Sequence, residues 1–146
     1  MSQKPLALLL RDVNRAGVHA LPREGSGAFD AGDEQGIARF RVSLAGIRNK
    51  KAFLDAMARA LRFPDWFGRN WDALEDCLTD LTWHPAEIYV IVLTDADEFR
   101  VAASEDYAMA LRIFRAAADY WRGQGVPFWV FVDAHPDGIA PPPDPA

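Results

Sequence analysis

Ile88-Tyr89-Val90-Ile91-Val92-Leu93 is an unbroken apolar run rich in β-branched residues. A strand that is apolar at every position has both faces covered, which is the pattern of a parallel sheet packed by helices. Phe128-Trp129-Val130-Phe131-Val132 repeats the pattern near the C-terminus. Upstream, Phe40, Val42 and Leu44 alternate with Arg41 and Ser43, which reads as a strand with one wet face. Between these strands the apolar period lengthens. Asn49 is placed to cap a helix that carries Phe53, Leu54, Met57 and Leu61 on one stripe. Pro64 stops that helix, because the residue before a proline is pushed out of the helical region. A second, short helix is expected from about Trp71 to Thr82. A third opens at Ser104 with Glu105 and Asp106 in its first turn. Its stripe is Tyr107, Leu111, Phe114, Ala118 and Trp121, and it ends at Gly123. Strand, two helices, strand, helix, strand predicts a small, three-layer-like α/β domain. Its short parallel β-sheet is joined by right-handed crossovers.

The readable domain spans residues 39–133, preceded by an extension, 1–38, and followed by a proline-rich tail, 134–146. In the extension, Leu6–Leu10 and Gly17–Leu21 are candidate strands that could join the sheet, while Pro22–Gly36 reads as loop. The tail is expected to be disordered or extended. A chain of 146 residues, half of them apolar, can bury a core as one domain. Cys77 is the only cysteine, so no internal disulfide forms, and it borders the apolar side of its helix as a small buried thiol. The run at Leu6 is too short for a secretory segment and no stretch approaches a membrane span. A soluble, cytoplasmic protein, most simply a monomer, is the expectation.

Charge is unevenly placed. From Asp65 to Asp106 there are eleven acids and two bases, net −9, against ten acids and fourteen bases, net +4, elsewhere. The total of −5 argues against direct nucleic-acid binding, where basic patches supply most of the affinity. Within the acidic third, helical spacing puts Trp71, Leu74, Leu78 and Leu81 on one face and Asp72, Glu75, Asp76 and Asp80 on the other. Asp72, Asp76 and Asp80 at i, i+4 and i+8 repel one another by about a few tenths of a kcal/mol each. A first-turn carboxylate at Asp72 is favoured by the helix dipole if Asn70 is the cap; Asp76 and Asp80 lie beyond its reach. The face is either a solvated charged surface or one built for a cationic partner. Just before it, Trp66 sits in a turn held by Pro64 and Gly68, a rigid aromatic beside charge, which is the composition of an interface hot spot.

Signatures of catalysis are sparse. No strand is followed by a phosphate-cradling glycine loop or a nucleophile elbow, and His19, His84 and His135 lack paired ligand spacing. Asp72 with Asp76 could act as an acid–base pair or hold a divalent cation, but no pocket-building motif accompanies them. The reading is therefore a non-enzyme without cofactor or metal.

Phe63-Pro64, Trp66-Phe67-Gly68, Asn70-Trp71-Asp72-Ala73-Leu74 and Asp76-Cys77-Leu78 stand in one register that resembles the barstar-like family of intracellular ribonuclease inhibitors. With the strand–helix order included, the resemblance covers about residues 39–133. It implies an immunity or antitoxin protein that binds a basic ribonuclease, carboxylates standing in for RNA phosphates. A non-inhibitory module that binds another basic protein is the alternative. By the same resemblance Asp76 is the central inhibitory aspartate and Asp72 the supporting one. Trp66 covers the enzyme's groove, and Asn70 and Trp71 lead into the helix. Adding the rest of the acidic face gives the candidate partner-binding set Trp66, Asn70, Trp71, Asp72, Glu75, Asp76, Thr79 and Asp80. The sequence departs from the family at Glu75, where a tryptophan is usual, at Asp80-Leu81, in place of a Gly-Trp pair, and at Ala116, in place of an acid. Those departures point to a different cognate enzyme or a different role.

Overall fold

The computed structural model describes residues 9–21, 32–34 and 36–133. Five strands form one sheet: β1 Val18–Ala20, β2 Gly32–Glu34, β3 Ile37–Ser43, β4 Ile88–Thr94 and β5 Phe128–Val132, in the order β1-β5-β4-β3-β2. The pairs β1–β5, β5–β4 and β4–β3 are parallel, and β2 closes the far edge antiparallel to β3. Among the described residues, four complete helices alternate with the strands: α1 Lys50–Leu61 and α2 Trp71–Leu78 between β3 and β4, and α3 Asp97–Ala102 and α4 Ser104–Gly123 between β4 and β5. The predicted α/β class with a parallel sheet packed by helices is the one observed.

Every residue of β4 and β5 is buried, as an unbroken apolar strand requires. One face of the sheet is covered by α1 and α4, with α2 and α3 packed against α4 in the same core around Phe53, Met57, Leu74, Phe99 and Phe114. The other face is covered by Leu9, Leu10 and Ala16, which meet Ile88, Val90, Val92, Trp129 and Phe131. Trp129 Nε1 donates to the Leu10 carbonyl at 2.9 Å, so the buried indole is satisfied by the segment that covers it. That segment gives the domain its third layer.

Several expectations change. Leu9 and Leu10 end a helical turn and are not strand residues, since their side chains must reach down onto the sheet face. Residues 6–8 and the tail, 134–146, lie outside the described residues. Gly17–Leu21 does supply β1, while the stretch read as loop contributes β2, whose Gly32 and Glu34 pair with Arg39 and Ile37. Gly36 makes the turn between β2 and β3 at φ 82°, where an added Cβ would stand 2.9 Å from the Glu87 carboxyl. β3 begins at Ile37, and only its second half shows the wet face, at Arg41 and Ser43. Helix α1 ends one residue earlier than the proline rule requires, because Arg62 takes the left-handed conformation and bonds back to Ala58. Helix α3 was not foreseen.

Candidate partner-binding site

Trp71–Leu78 is shorter than the sequence reading allowed. Asn70 caps it as expected, its Oδ1 accepting from Ala73 N–H at 2.7 Å. At the other end the Thr79 hydroxyl donates to the Glu75 carbonyl at 2.8 Å, and Leu81 turns left-handed (φ 53°) to bury its side chain. The chain therefore leaves the helix before Asp80, and the i+8 geometry assigned to Asp80 is corrected: it sits half-buried in the turn beyond the C-cap. Leu74, Cys77 and Leu78 face the core. Asp72, Glu75 and Asp76 are exposed and adjoin on the opposite side. Among the described residues no cation lies within ion-pair distance of these three, nor of Asp65 or Asp80. Asp76 and Asp80 act on Cys77, whose thiol is pushed up to about 11, first by burial and then by their charges.

The turn before the helix is pinned from beneath. Phe67 is buried and its N–H donates to the Pro64 carbonyl at 3.0 Å. Gly68 is not left-handed; a Cβ there would lie 3.2 Å from Asn70 Nδ2, a close approach to the side chain that caps the helix. The left-handed residue is Arg69 (φ 53°). Its guanidinium reaches Asp55 on α1 at 2.9 Å, and Lys51 reaches the same carboxylate at 3.0 Å. These hydrogen bonds, Arg69's first, hold the Asp55 carboxyl below the usual range. The one base in the turn is thereby tied back to α1 and away from the acids of α2.

Trp66 is 56% exposed. Its ring stands edge-on to Trp83 at 6.4 Å, and Trp83 stands edge-on to Phe63 at 6.0 Å. Trp83 is fixed by an Nε1 bond to the Leu61 carbonyl at 3.1 Å. A rigid aromatic stack thus presents Trp66 beside the carboxylates. Beneath the turn, a recess of about 130 Å³ is walled by Ala58, Phe63, Pro64 and Phe67. Trp83 supports Trp66 from the turn after α2, a contact that no local periodicity reports.

The eight candidates do not present themselves alike. Trp66, Asp72, Glu75 and Asp76 offer side chains outward. The side chains of Asn70 and Thr79 are committed to the helix ends. Trp71 is half-buried, 6.0 Å from Phe53, with Lys50 Nζ 5.4 Å above its ring. Ala116, half-buried on α4, adds no charge at its position. No group of three or more His, Cys, Asp or Glu among the described residues could hold a metal ion. No helix among them is long and apolar enough to cross a membrane.

Fold and face together define a small α/β protein that offers an acidic surface flanked by a braced tryptophan. The family model described as Barstar (barnase inhibitor) matches residues 37–133, two-thirds of the chain, and the chain belongs to that family. No curated protein matches the chain. The family takes its description from an inhibitor of barnase.

Proposed function

We propose that this protein is a cytoplasmic inhibitor of the immunity or antitoxin type, which blocks a basic ribonuclease by laying the α2 face across its phosphate sites. Asp76 is the central contact and Asp72 supports it. Glu75 and Asp80 extend the charge, and Trp66 packs over the rim of the enzyme's groove. Asn70, Trp71 and Thr79 hold the helix at its ends and flank. The observation that carries this reading is the cluster of Asp72, Glu75 and Asp76, exposed and without a cation among the described residues, next to the braced Trp66. Neighbouring carboxylates repel by about a few tenths of a kcal/mol per pair. A cationic partner turns that repulsion into attraction, and the clustered charge speeds its capture. In this reading residues 39–133 are the inhibitory domain, residues 1–38 an extension, and residues 134–146 a tail outside it.

The test is capture of the cognate nuclease from the neighbouring reading frame, followed by RNA hydrolysis assays and stopped-flow binding. Asp76→Ala should mainly speed dissociation, by about 2–5 kcal/mol if the charge pair is desolvated. Asp65→Ala should mainly slow association, and added salt should do the same. Equal affinity for Asp76→Ala and the parent protein removes Asp76 from its role. Capture of a basic partner with no nuclease activity favours a non-inhibitory interaction module on the same fold.

A further inference from the structure

Arg69 occupies an unfavourable place for a cation. It directly precedes the Asn70 cap, at the positive end of the α2 dipole. It is also a non-glycine residue in the left-handed region. Three residues on stands the exposed Asp72, at most about 11 Å away between Cα atoms, a gap that an arginine and an aspartate side chain can bridge. Yet among the described residues Arg69 makes its ion pair with Asp55 on α1 and none with Asp72.

Asp55 is built to hold it. The residue lies between Leu54 and Ala56, both buried, on a helix anchored in the core. Its side chain is 23% exposed, against 64% for Arg69. Each carboxylate oxygen is used once, Oδ1 accepting from Arg69 Nε and Oδ2 from Lys51 Nζ. Lys50, at the start of the same helix, lies over the Trp71 ring and makes no ion pair among the described residues. The bases that border the N-terminal end of α2 are thus all directed to α1 or to an aromatic face, and Asp72, Glu75 and Asp76 keep their charge.

We propose that Asp55 is a positioning residue for the α2 face: it draws Arg69 off Asp72 and so keeps the carboxylates of α2 open to a cationic partner. That partner is the one inferred above, and the proposal rests on that reading. Without the Asp55 charge, Arg69 turns onto Asp72 and the face partly neutralises itself.

Asp55→Asn keeps the shape and removes the charge, and because the pair lies at the surface the variant should fold. The probe is hexaamminechromium(III), a compact paramagnetic trication that broadens the amide resonances it approaches, titrated into the full chain at low salt. Broadening should centre on Asp72–Asp76. It should need about threefold more probe in Asp55→Asn, the size of an exposed ion pair, and recover in Asp55→Asn/Arg69→Gln. The Arg69 Nε–H resonance locates the side chain. Asp72→Asn should leave that resonance unmoved in the parent and shift it in the Asp55→Asn background. A shift in the parent means that Arg69 already sits on Asp72, and overturns the proposal. Undiminished broadening in Asp55→Asn, no recovery in the double variant, or a resonance blind to Asp72 in both backgrounds does the same. Affinity for a captured nuclease should follow the probe. If the probe and the resonance respond as expected and the nuclease does not, the α2 reading fails while the hold of Asp55 on Arg69 stands.

Discussion

Helix α2 has eight residues, and an isolated helix shorter than about 12 residues is marginal in water. Its carboxylates are therefore held in place by its inner face and its ends. Asn70→Ala removes the acceptor that Ala73 N–H meets at 2.7 Å. Loss of such a cap costs about 1 kcal/mol. Asn70 is exposed, so no cavity term is added. In a chain of 146 residues that cost lowers Tm by about 3–4 °C. Asn70→Asp keeps the acceptor and places a charge at the positive end of the helix, worth about 0.3–1 kcal/mol. Repulsion from Asp72 offsets part of that gain, so this variant should stay near the parent. Urea unfolding followed by circular dichroism and tryptophan fluorescence checks both, provided the m-value is unchanged. Partner affinity should fall for the alanine variant and hold for the aspartate variant. A parental urea midpoint for Asn70→Ala, or equal destabilisation by the two substitutions, would refute the claim that this cap sets the helix.

Three other outcomes follow from the packing. Arg62, exposed and left-handed (φ 55°) at the end of α1, should gain about 0.5–1 kcal/mol on replacement by glycine, read as a higher urea midpoint. Burial pushes the Cys77 thiol from 9.0 up to about 11 and the Tyr107 hydroxyl from 10.0 up to about 12. Folding favours the neutral form of both, so their contribution is complete below about pH 9 and is lost as pH rises through about 11 and 12. Cys77→Ala with Tyr107→Phe should flatten the alkaline limb of a stability–pH curve. An unchanged limb would falsify that assignment. Deleting residues 1–21 uncovers the β5 edge and the Trp129–Phe131 face, and should yield aggregation-prone protein that binds a hydrophobic dye.

The central strands were legible because burial on both faces leaves no polar position to confuse the pattern; the expected Phe128–Val132 is β5 as observed. Asn49 and Asn70 were legible for a different reason, since a cap is a local hydrogen bond, and both bonds are present. The end of α2 was not legible. Leu81 keeps the helical period in sequence but reaches the core from a left-handed turn, so periodicity carried the helix too far. β2 has no apolar alternation in Gly32-Asp33-Glu34, and only pairing with β3 defines it. The outward position of Asp72, Glu75 and Asp76 was readable from helical spacing. The bracing of Trp66 by Trp83 depends on a tertiary contact and was not.

The strand order β1-β5-β4-β3-β2 places β5, the last of the described strands along the chain, inside the sheet, between the first strand and the fourth. Val18 cannot find Val130 until the chain has been made through β5. The acidic helix is tied to the same event, because Trp121 of α4 donates to the Leu78 carbonyl at 2.8 Å. Such long-range closure slows folding relative to a chain of local contacts. A chain cut before α4 and β5 therefore lacks the support on which the acidic surface rests.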